Sequence, residues 1–341
     1  MKKIRVLVVD DSMVFQQVLA RGLSSDVNIE VVATANDPFD ARDKILAFEP
    51  DVMTCDVEMP KMSGIEFIRK LMPQYPLPVV VVSSVNQAVF DAMNAGAVEF
   101  VVKPDVQTIK SVEAFIQELI LKVKIASAAK VSQWKTIQNA RMPAIDRSRI
   151  DERCKKVIAI GASTGGTEAL YHILKKLPGN IPGILIVQHI PPVFSRMFAE
   201  RLNNSTELQV KEACTGDYLE CGKVLIAPGD AHLRIKKIGD RYQTECFAGD
   251  RINGHCPSVD VLFESVAREA GEHAVGVILT GMGYDGAKGL LSMRRKGART
   301  IGQDEKSSIV YGMPKVAYDI GGVEKQMPLE EIPQTMISFL R

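Results

Sequence analysis

Aromatic residues are scarce: Phe, Tyr and Trp make up 6% of the 341 residues, and Trp134 is the only tryptophan. Few platforms for stacking bases exist on such a chain. The formal net charge is only +1, so no overall field draws it to nucleic acid or to an anionic membrane. No segment reads as a helix-turn-helix, which counts against a DNA-binding regulator. Long apolar runs are lacking too. The run that follows Lys2 and Lys3 is broken at Asp10 and Asp11, too early for a signal-peptide core, and no stretch approaches the length of a bilayer span. The expectation is a cytoplasmic protein with no membrane insertion. Cysteine is sparse and unpatterned: Cys55, Cys154, Cys214, Cys221, Cys246 and Cys256 form no C-x-x-C pair. Reduced thiols are expected rather than disulfides or a zinc site. No internal repeat of fixed period is present.

What remains is ordinary globular material, 46% hydrophobic and 24% charged, long enough for two domains. Short β-branched runs at 4–9, 30–34, 52–55, 79–83 and 100–102 alternate with helical spacing at 13–23, 38–48, 65–71 and 87–94. Near-continuous apolar strands between helices predict a parallel sheet covered on both faces. A longer amphipathic helix follows over 106–124, with Ile109, Val112, Phe115, Ile116, Leu119 and Ile120 on its apolar face. The stretch 125–154, rich in Ala, Ser, Gln, Lys and Arg, reads as a linker containing Trp134. A second α/β series begins at Lys155, with strands at 157–160, 184–188, 223–227 and 274–279 and a polar-alternating hairpin over 233–247. The expected division is therefore 1–124, a linker over 125–154, and 155–341.

In the first series, charged and hydroxyl residues gather at one sheet edge. Asp10 and Asp11 follow the first strand, Asp56 the third and Lys103 the fifth, while Ser83 ends the fourth. Ligands bind at that edge of an open parallel sheet. Three carboxylates meeting there repel one another unless a cation joins them, and oxygen-only donors suit Mg²⁺. Ser83 and Lys103 then offer a hydroxyl and a positive charge to a phosphoryl group on a carboxylate. A single Asp after a strand reads more simply as a cap or turn former. The whole set points to a site. The motifs V-V-D-D-S (8–12), D-V-E-M-P (56–60), S-G (63–64), V-S-S (82–84) and V-K-P (102–104) resemble response-regulator receiver domains over roughly 1–124. The resemblance implies a (βα)5 flavodoxin-like fold, with Asp56 as phospho-acceptor for a histidine kinase. It further implies Mg²⁺ held by Asp10, Asp11 and Asp56, phosphoryl sensing by Ser83 and Lys103, and Phe100 as the final-strand aromatic.

The second series opens with Gly161-Ala162-Ser163-Thr164-Gly165-Gly166, between a strand and a helix predicted over 168–177. Ser163 breaks the dinucleotide fingerprint, and Gly166 stands where a P-loop needs lysine. G-x-S-x-G fits 161–165 in the strand–turn–helix setting that exposes a serine nucleophile and leaves amides for an oxyanion. Five histidines are available as its base. His172 lies inside a helix, and His273 precedes a strand, on the wrong edge. His232 and His255 lie in loops and stay open. His189 directly follows the strand at 184–188, with Pro191 and Pro192 stiffening the loop behind it. Asp285 reaches the same edge after 274–279. Ser163, His189 and Asp285 thus come from three strand ends, an arrangement suited to proton transfer from serine to an oriented imidazole. The order Ser…His…Asp departs from the α/β-hydrolase order. A set of Ser163, His255 and either Asp217 or Asp230 restores that order and remains an alternative.

Further motifs extend the comparison: I-G-A-S-T-G-G-T-E-A-L (160–170), Q-H-I-P-P (188–192), F-A-E-R-L-N (198–203), I-A-P-G-D-A-H (226–232), P-S-V-D-V-L-F (257–263) and G-V-I-L-T-G-M-G-Y-D-G (276–286). Together they resemble the chemotaxis protein-glutamate methylesterase (CheB) family over almost all of 155–341. The resemblance implies a doubly wound, mostly parallel α/β domain with Ser163 as nucleophile, His189 as base, Asp285 as orienting acid and the Met282 amide as oxyanion donor. It implies hydrolysis of glutamyl methyl esters on the cytoplasmic helices of methylated chemoreceptors, with no cofactor for that step, and glutamine deamidation by the same acyl chemistry. A phospho-switch tethered to an esterase leads to the expectation that the unphosphorylated receiver covers the active-site edge. The charged, Gln-containing linker departs from the family's Pro- and Ala-rich type. A receptor-binding pseudoenzyme is the rival reading, disfavoured because all three triad candidates are present. Monomer is the default state.

Overall fold

Runs such as Val79–Ser83 (VVVVS) are β-branched, apolar and buried throughout, the pattern of strands with helices on both faces. A computed structural model describes residues 2–84, 86–104, 109–131 and 156–340. The chain divides into two compact units, Met1–Lys135 and Thr136–Arg341. Most of the expected linker, with Trp134 and Cys154, lies outside the described residues, as does Lys155.

The first unit is a parallel sheet of β1 (Ile4–Val9), β2 (Ile29–Ala35), β3 (Val52–Asp56), β4 (Val79–Ser83) and β5 (Glu99–Val102) in the order β2-β1-β3-β4-β5. Between and after the strands run α1 (Met13–Leu23), α2 (Pro38–Phe48), α3 (Gly64–Leu71), α4 (Asn86–Ala95) and α5 (Ile109–Ser127). The helix starts are written locally. The Ser12 hydroxyl accepts the Phe15 N–H, Asp37 accepts those of Phe39 and Asp40 ahead of Pro38, and Ser63 accepts that of Glu66. Phe115, Ile116, Leu119 and Ile120 of α5 are buried, as its apolar stripe predicts. Because β1 lies between β2 and β3, the winding reverses there and opens a crevice at the carboxyl ends of β1 and β3.

In the second unit a seven-stranded, wholly parallel sheet is ordered β14-β13-β12-β6-β7-β9-β8. Its strands are β6 (Val157–Ala162), β7 (Ile184–Gln188), β8 (Gln209–Glu212), β9 (Lys223–Ile226), β12 (Ala274–Ile278), β13 (Arg299–Gln303) and β14 (Lys325–Met327). The antiparallel hairpin β10 (His232–Ile238) and β11 (Arg241–Phe247) stands outside that sheet. The helices are α6 (Gly166–Leu174), α7 (Phe194–Ser205), α8 (Val259–Glu269), α9 (Ala287–Arg295), α10 (Met313–Asp319) and α11 (Ile332–Phe339). Leu185, Leu225, Val259, Phe263, Leu290 and Met293 share one buried cluster, which Leu233 and Ile235 of the hairpin join. The winding reverses at β6, flanked by β7 on one side and β12 on the other.

Cys55, Cys214, Cys246 and Cys256 are free thiols, as expected. Cys221 is disulfide-bonded, which corrects the all-reduced reading. No helix among the described residues is long and apolar enough to cross a membrane.

Candidate active site and acidic pocket

Ser163 lies one residue past β6, on a turn closed by the Gly166 N–H donating to the Ser163 carbonyl at 2.7 Å. Gly165, at φ 75, takes the left-handed conformation that lets the chain enter α6 at once. The Ser163 N–H donates to Thr280 O (3.0 Å), and the Gln188 side-chain amide donates to Ser163 O (2.9 Å). Thr280 in turn donates its hydroxyl to Thr164 O at 3.0 Å. A Cβ on Gly281 would sit 2.6 Å from the Ser163 Cβ, so the β12 loop passes the serine at a distance only glycine allows.

His189 follows β7, and its N–H donates to Ala162 O at 3.1 Å, continuing the β6–β7 ladder past its last paired strand residues. Its Nε2 lies 2.9 Å from Asp285 Oδ2. An ionised carboxylate only accepts, so Nε2 carries the proton and Nδ1 the lone pair. Nδ1 is buried with no hydrogen-bond partner. It is the basic nitrogen left for an incoming hydroxyl proton.

Asp285 is fully buried and receives more than the histidine. Oδ1 accepts from Asn253 Nδ2 (2.8 Å), Ser258 Oγ (2.7 Å) and the Asp260 N–H (3.3 Å), and Oδ2 also accepts the Val259 N–H at 2.7 Å. Burial alone would raise its pKa. Hydrogen bonds from His189, Asn253 and Ser258 and attraction to His189 outweigh that and hold it well below the usual carboxylate range. Asp260, beside it, shows the opposite balance: burial first, then the Asp285 charge, push its pKa up against donation from Gly289 and Asn253.

The remaining histidines sort clearly. His232 is buried, donates Nε2–H to Asp250 O (2.9 Å) and accepts the Ser258 N–H at Nδ1 (3.2 Å), so it braces a loop. His172 lies in α6, and burial followed by the charges of Lys176 and Lys175 lowers its pKa to about 4. His273 precedes β12, at the opposite end from the site. His255 does reach the site, its ring stacked on His189 at 3.7 Å and 6°. Asp217 is committed to Lys211 and the Cys214 N–H, and Asp230 occupies an exposed positive-φ turn, so the alternative set does not assemble around Asp217. Met282 is exposed, immediately after the glycine that abuts Ser163. Asn253, Ser258 and Asp260 escaped sequence reading, although Asn253-Gly254 carries a hairpin-turn signature.

In the first unit, ligand oxygens of Asp10, Asp11 and Asp56 all lie within 4.8 Å of one another. Asp10 and Asp56 are buried and Asp11 is exposed. Lys103 Nζ bridges Asp10 Oδ2 (2.8 Å) and Asp56 Oδ2 (2.6 Å) and lies 4.7 Å from the Phe15 ring centroid. Burial raises the Asp56 pKa against the hydrogen bond and charge of Lys103, with Asp10 adding to the rise. Ser83 is buried at the end of β4, where its carbonyl accepts the Lys103 N–H at 3.0 Å. Phe100 is buried on β5. An all-oxygen donor set of this spacing, open to solvent through Asp11, fits a hard divalent cation.

Comparison with known proteins agrees with both halves. The family model described as CheB methylesterase matches residues 158–336, and that described as response regulator receiver domain matches 6–113. The chain is 55% identical over 340 residues to a protein-glutamate methylesterase/protein-glutamine glutaminase of Syntrophomonas wolfei, covering 100% of this chain and 98% of the relative. A relative of the same name from Syntrophotalea carbinolica is 51% identical over 346 residues, covering 99% of this chain and 98% of its own. The crystal structure of the Thermotoga maritima CheB methylesterase catalytic domain superposes with a TM-score of 0.53 at 38% identity, covering 54% of this chain and 97% of that one. A serine elbow and a histidine–carboxylate pair at one switch point, an acidic pocket at another, and these matches lead to one assignment: the chain belongs to the CheB methylesterase family, with a response regulator receiver domain preceding its esterase domain.

Proposed function

We propose that this protein is a phosphorylation-regulated protein-glutamate methylesterase and protein-glutamine glutaminase acting on methylated chemoreceptors in the cytoplasm. The receiver would occupy 1–124, the linker 125–154 and the esterase 155–341. The observation that carries the reading is the His189–Asp285 pair at 2.9 Å on the same sheet edge as the Ser163 turn.

In this reading Ser163 Oγ attacks the γ-carbonyl of a glutamyl methyl ester while His189 Nδ1 takes its proton. Asp285 fixes the tautomer and balances the imidazolium charge. The Met282 amide receives the oxyanion, a placement supported by the close passage of Gly281 beside Ser163. Collapse breaks the C–O bond, His189 returns the proton to the leaving methoxide, and methanol departs from a glutamyl-serine ester. Water then gives a proton to His189 and its hydroxide to the acyl carbon; as the acyl–Oγ bond breaks, His189 passes that proton to Ser163 Oγ, which frees glutamate and restores both residues. A glutamine side chain runs the same cycle with ammonia as leaving group.

Asp56 is the proposed phospho-acceptor, supplied by a histidine kinase, with Asp10, Asp11 and Asp56 as the residues that would hold Mg²⁺. The bound ion would neutralise charge as phosphoryl oxygens approach the carboxylate. Lys103 already spans Asp10 and Asp56 and would follow the phosphoryl group, with Ser83 at the adjoining strand end.

The test is methanol release from methylated receptor membranes, with and without Mg²⁺ plus a small acyl phosphate. Release should rise with the phosphodonor, lose that rise in Asp56→Asn and disappear in Ser163→Ala. Release that persists in Ser163→Ala would overturn the reading.

A further inference from the structure

The triad candidates all sit on the parallel sheet edge, yet three of their contacts, from Asn253, His255 and Ser258, come from a loop outside the sheet. The loop over 250–258 is built to hold a shape. Ile252 and His255 exchange backbone hydrogen bonds at 3.0 and 2.9 Å, and between them Asn253 and Gly254 have φ of 53° and 84°. That is the positive-φ pair of a type I′ two-residue turn. Both ends of the loop are fastened to one buried imidazole, His232, through the Asp250 carbonyl and the Ser258 N–H.

From this frame the tip reaches both members of the histidine–carboxylate pair. The Asn253 amide donates to Asp285 Oδ1 and to Asp260 Oδ2, each at 2.8 Å. Its two N–H bonds are both spent, which fixes the amide plane and ties the two carboxylates at a set separation. Two residues along, the His255 ring lies flat against His189 at 3.7 Å and 6°. A single hydrogen bond at Nε2 leaves the His189 ring free to swing about that bond. A parallel ring on one face opposes that swing and holds the unpartnered Nδ1 in one orientation.

We propose that the 250–258 loop is the positioning arm of the esterase site, with Asn253 holding the acid and His255 holding the base. The inference rests on Ser163, His189 and Asp285 being the triad. Neither arm residue takes a proton in the reaction. Their effect is on geometry, so it falls on kcat rather than on substrate binding.

The experiment uses the full chain and methylated receptor membranes. It measures initial rates of methanol release together with the downfield proton NMR signal of the His189–Asp285 hydrogen bond. Asn253→Ala and His255→Ala should each lower kcat by about 10- to 100-fold with KM within about twofold, and should broaden or remove the downfield signal. His255→Phe restores a flat ring and should recover most of the loss along with the signal, which separates stacking from folding failure. Wild-type kcat and an unchanged signal in both alanine variants, with Ser163→Ala inactive, would overturn the arm alone. His255→Phe as slow as His255→Ala in a folded protein would overturn the stacking role. Methanol release surviving in Ser163→Ala would overturn the triad and the arm with it.

Discussion

Replacing Asp285 by asparagine removes the charge while keeping the shape, and the surrounding donors dictate how the amide settles. Oδ2 faces the Val259 N–H at 2.7 Å, a short backbone bond that cannot rotate away, whereas Oδ1 faces the Ser258 hydroxyl, which can, the Asn253 side chain and only a long backbone bond from Asp260 at 3.3 Å. The amide carbonyl should therefore take the Oδ2 position and the NH₂ group the Oδ1 position. His189 then keeps a proton on Nε2 and the correct tautomer, and the loss is electrostatic. An imidazolium and a carboxylate with charge centres about 4 Å apart attract by about 4 kcal/mol at an effective dielectric constant of 20. That corresponds to a fall in kcat of about 10³-fold. Misplaced donors at Oδ1 should cost a further ~1–3 kcal/mol of folding stability. The assays are methanol release and urea unfolding at neutral and acid pH. Because the folded Asp285 pKa lies below its ordinary value of 3.8, its contribution is complete above about pH 4 and is lost as pH falls through the folded value. The wild-type advantage over Asp285→Asn should therefore shrink on acidification below that point. A kcat loss under tenfold, or a stability difference that grows in acid, would refute this account.

Gly281→Ala should lower kcat by about 10²-fold with little change in overall structure, because the new Cβ would press on the Ser163 Cβ; unchanged kcat by methanol release would count against the close passage. His172 is predicted to titrate near 4 by NMR, below its ordinary 6.5, so its share of stability is complete above about pH 6.5 and is lost as pH falls toward 4. A midpoint at its ordinary value would contradict the burial and lysine repulsion seen in α6. Val193, a β-branched residue at φ 72 behind the His189 loop, carries backbone strain of about 1–3 kcal/mol. Val193→Gly should raise the urea midpoint despite the entropic cost of glycine, about 0.5–1 kcal/mol; a lowered midpoint would show that the strain is absent or repaid by Val193 packing.

Residues whose place is set by a strand end were readable from sequence. The runs at 4–9 and 184–188 coincide with β1 and β7, and Asp10, Asp56, Lys103, Ser163 and His189 lie at or just beyond strand ends, where a parallel sheet gathers ligands. Asp285 was legible because Gly281, Gly283 and Gly286 around it mark a turn, although it lies well past β12. The strands β8, β13 and β14 were not foreseen. The first alternates polar with apolar over Gln209–Glu212, the second contains Gly302, and the third is three residues long, so none presents an apolar run. Asn253 was hidden for a different reason, and His255 was visible only as an alternative base, not as a ring stacked on His189. Their roles come from contacts across the chain, of Asn253 with Asp285 and of His255 with His189, and no local period encodes such a meeting.

The backbone bonds of Ser163 and His189 bear on how this enzyme would lose activity. Ser163 N–H goes to Thr280 O and His189 N–H to Ala162 O, so both amides are spent on extensions of the sheet ladder. Amides of that kind exchange with solvent only when the core itself opens. Their deuterium uptake should be among the slowest in the second unit, and warming should not detune the site by degrees. Activity would hold nearly level and then disappear together with the fold, leaving no long-lived inactive but folded species to accumulate.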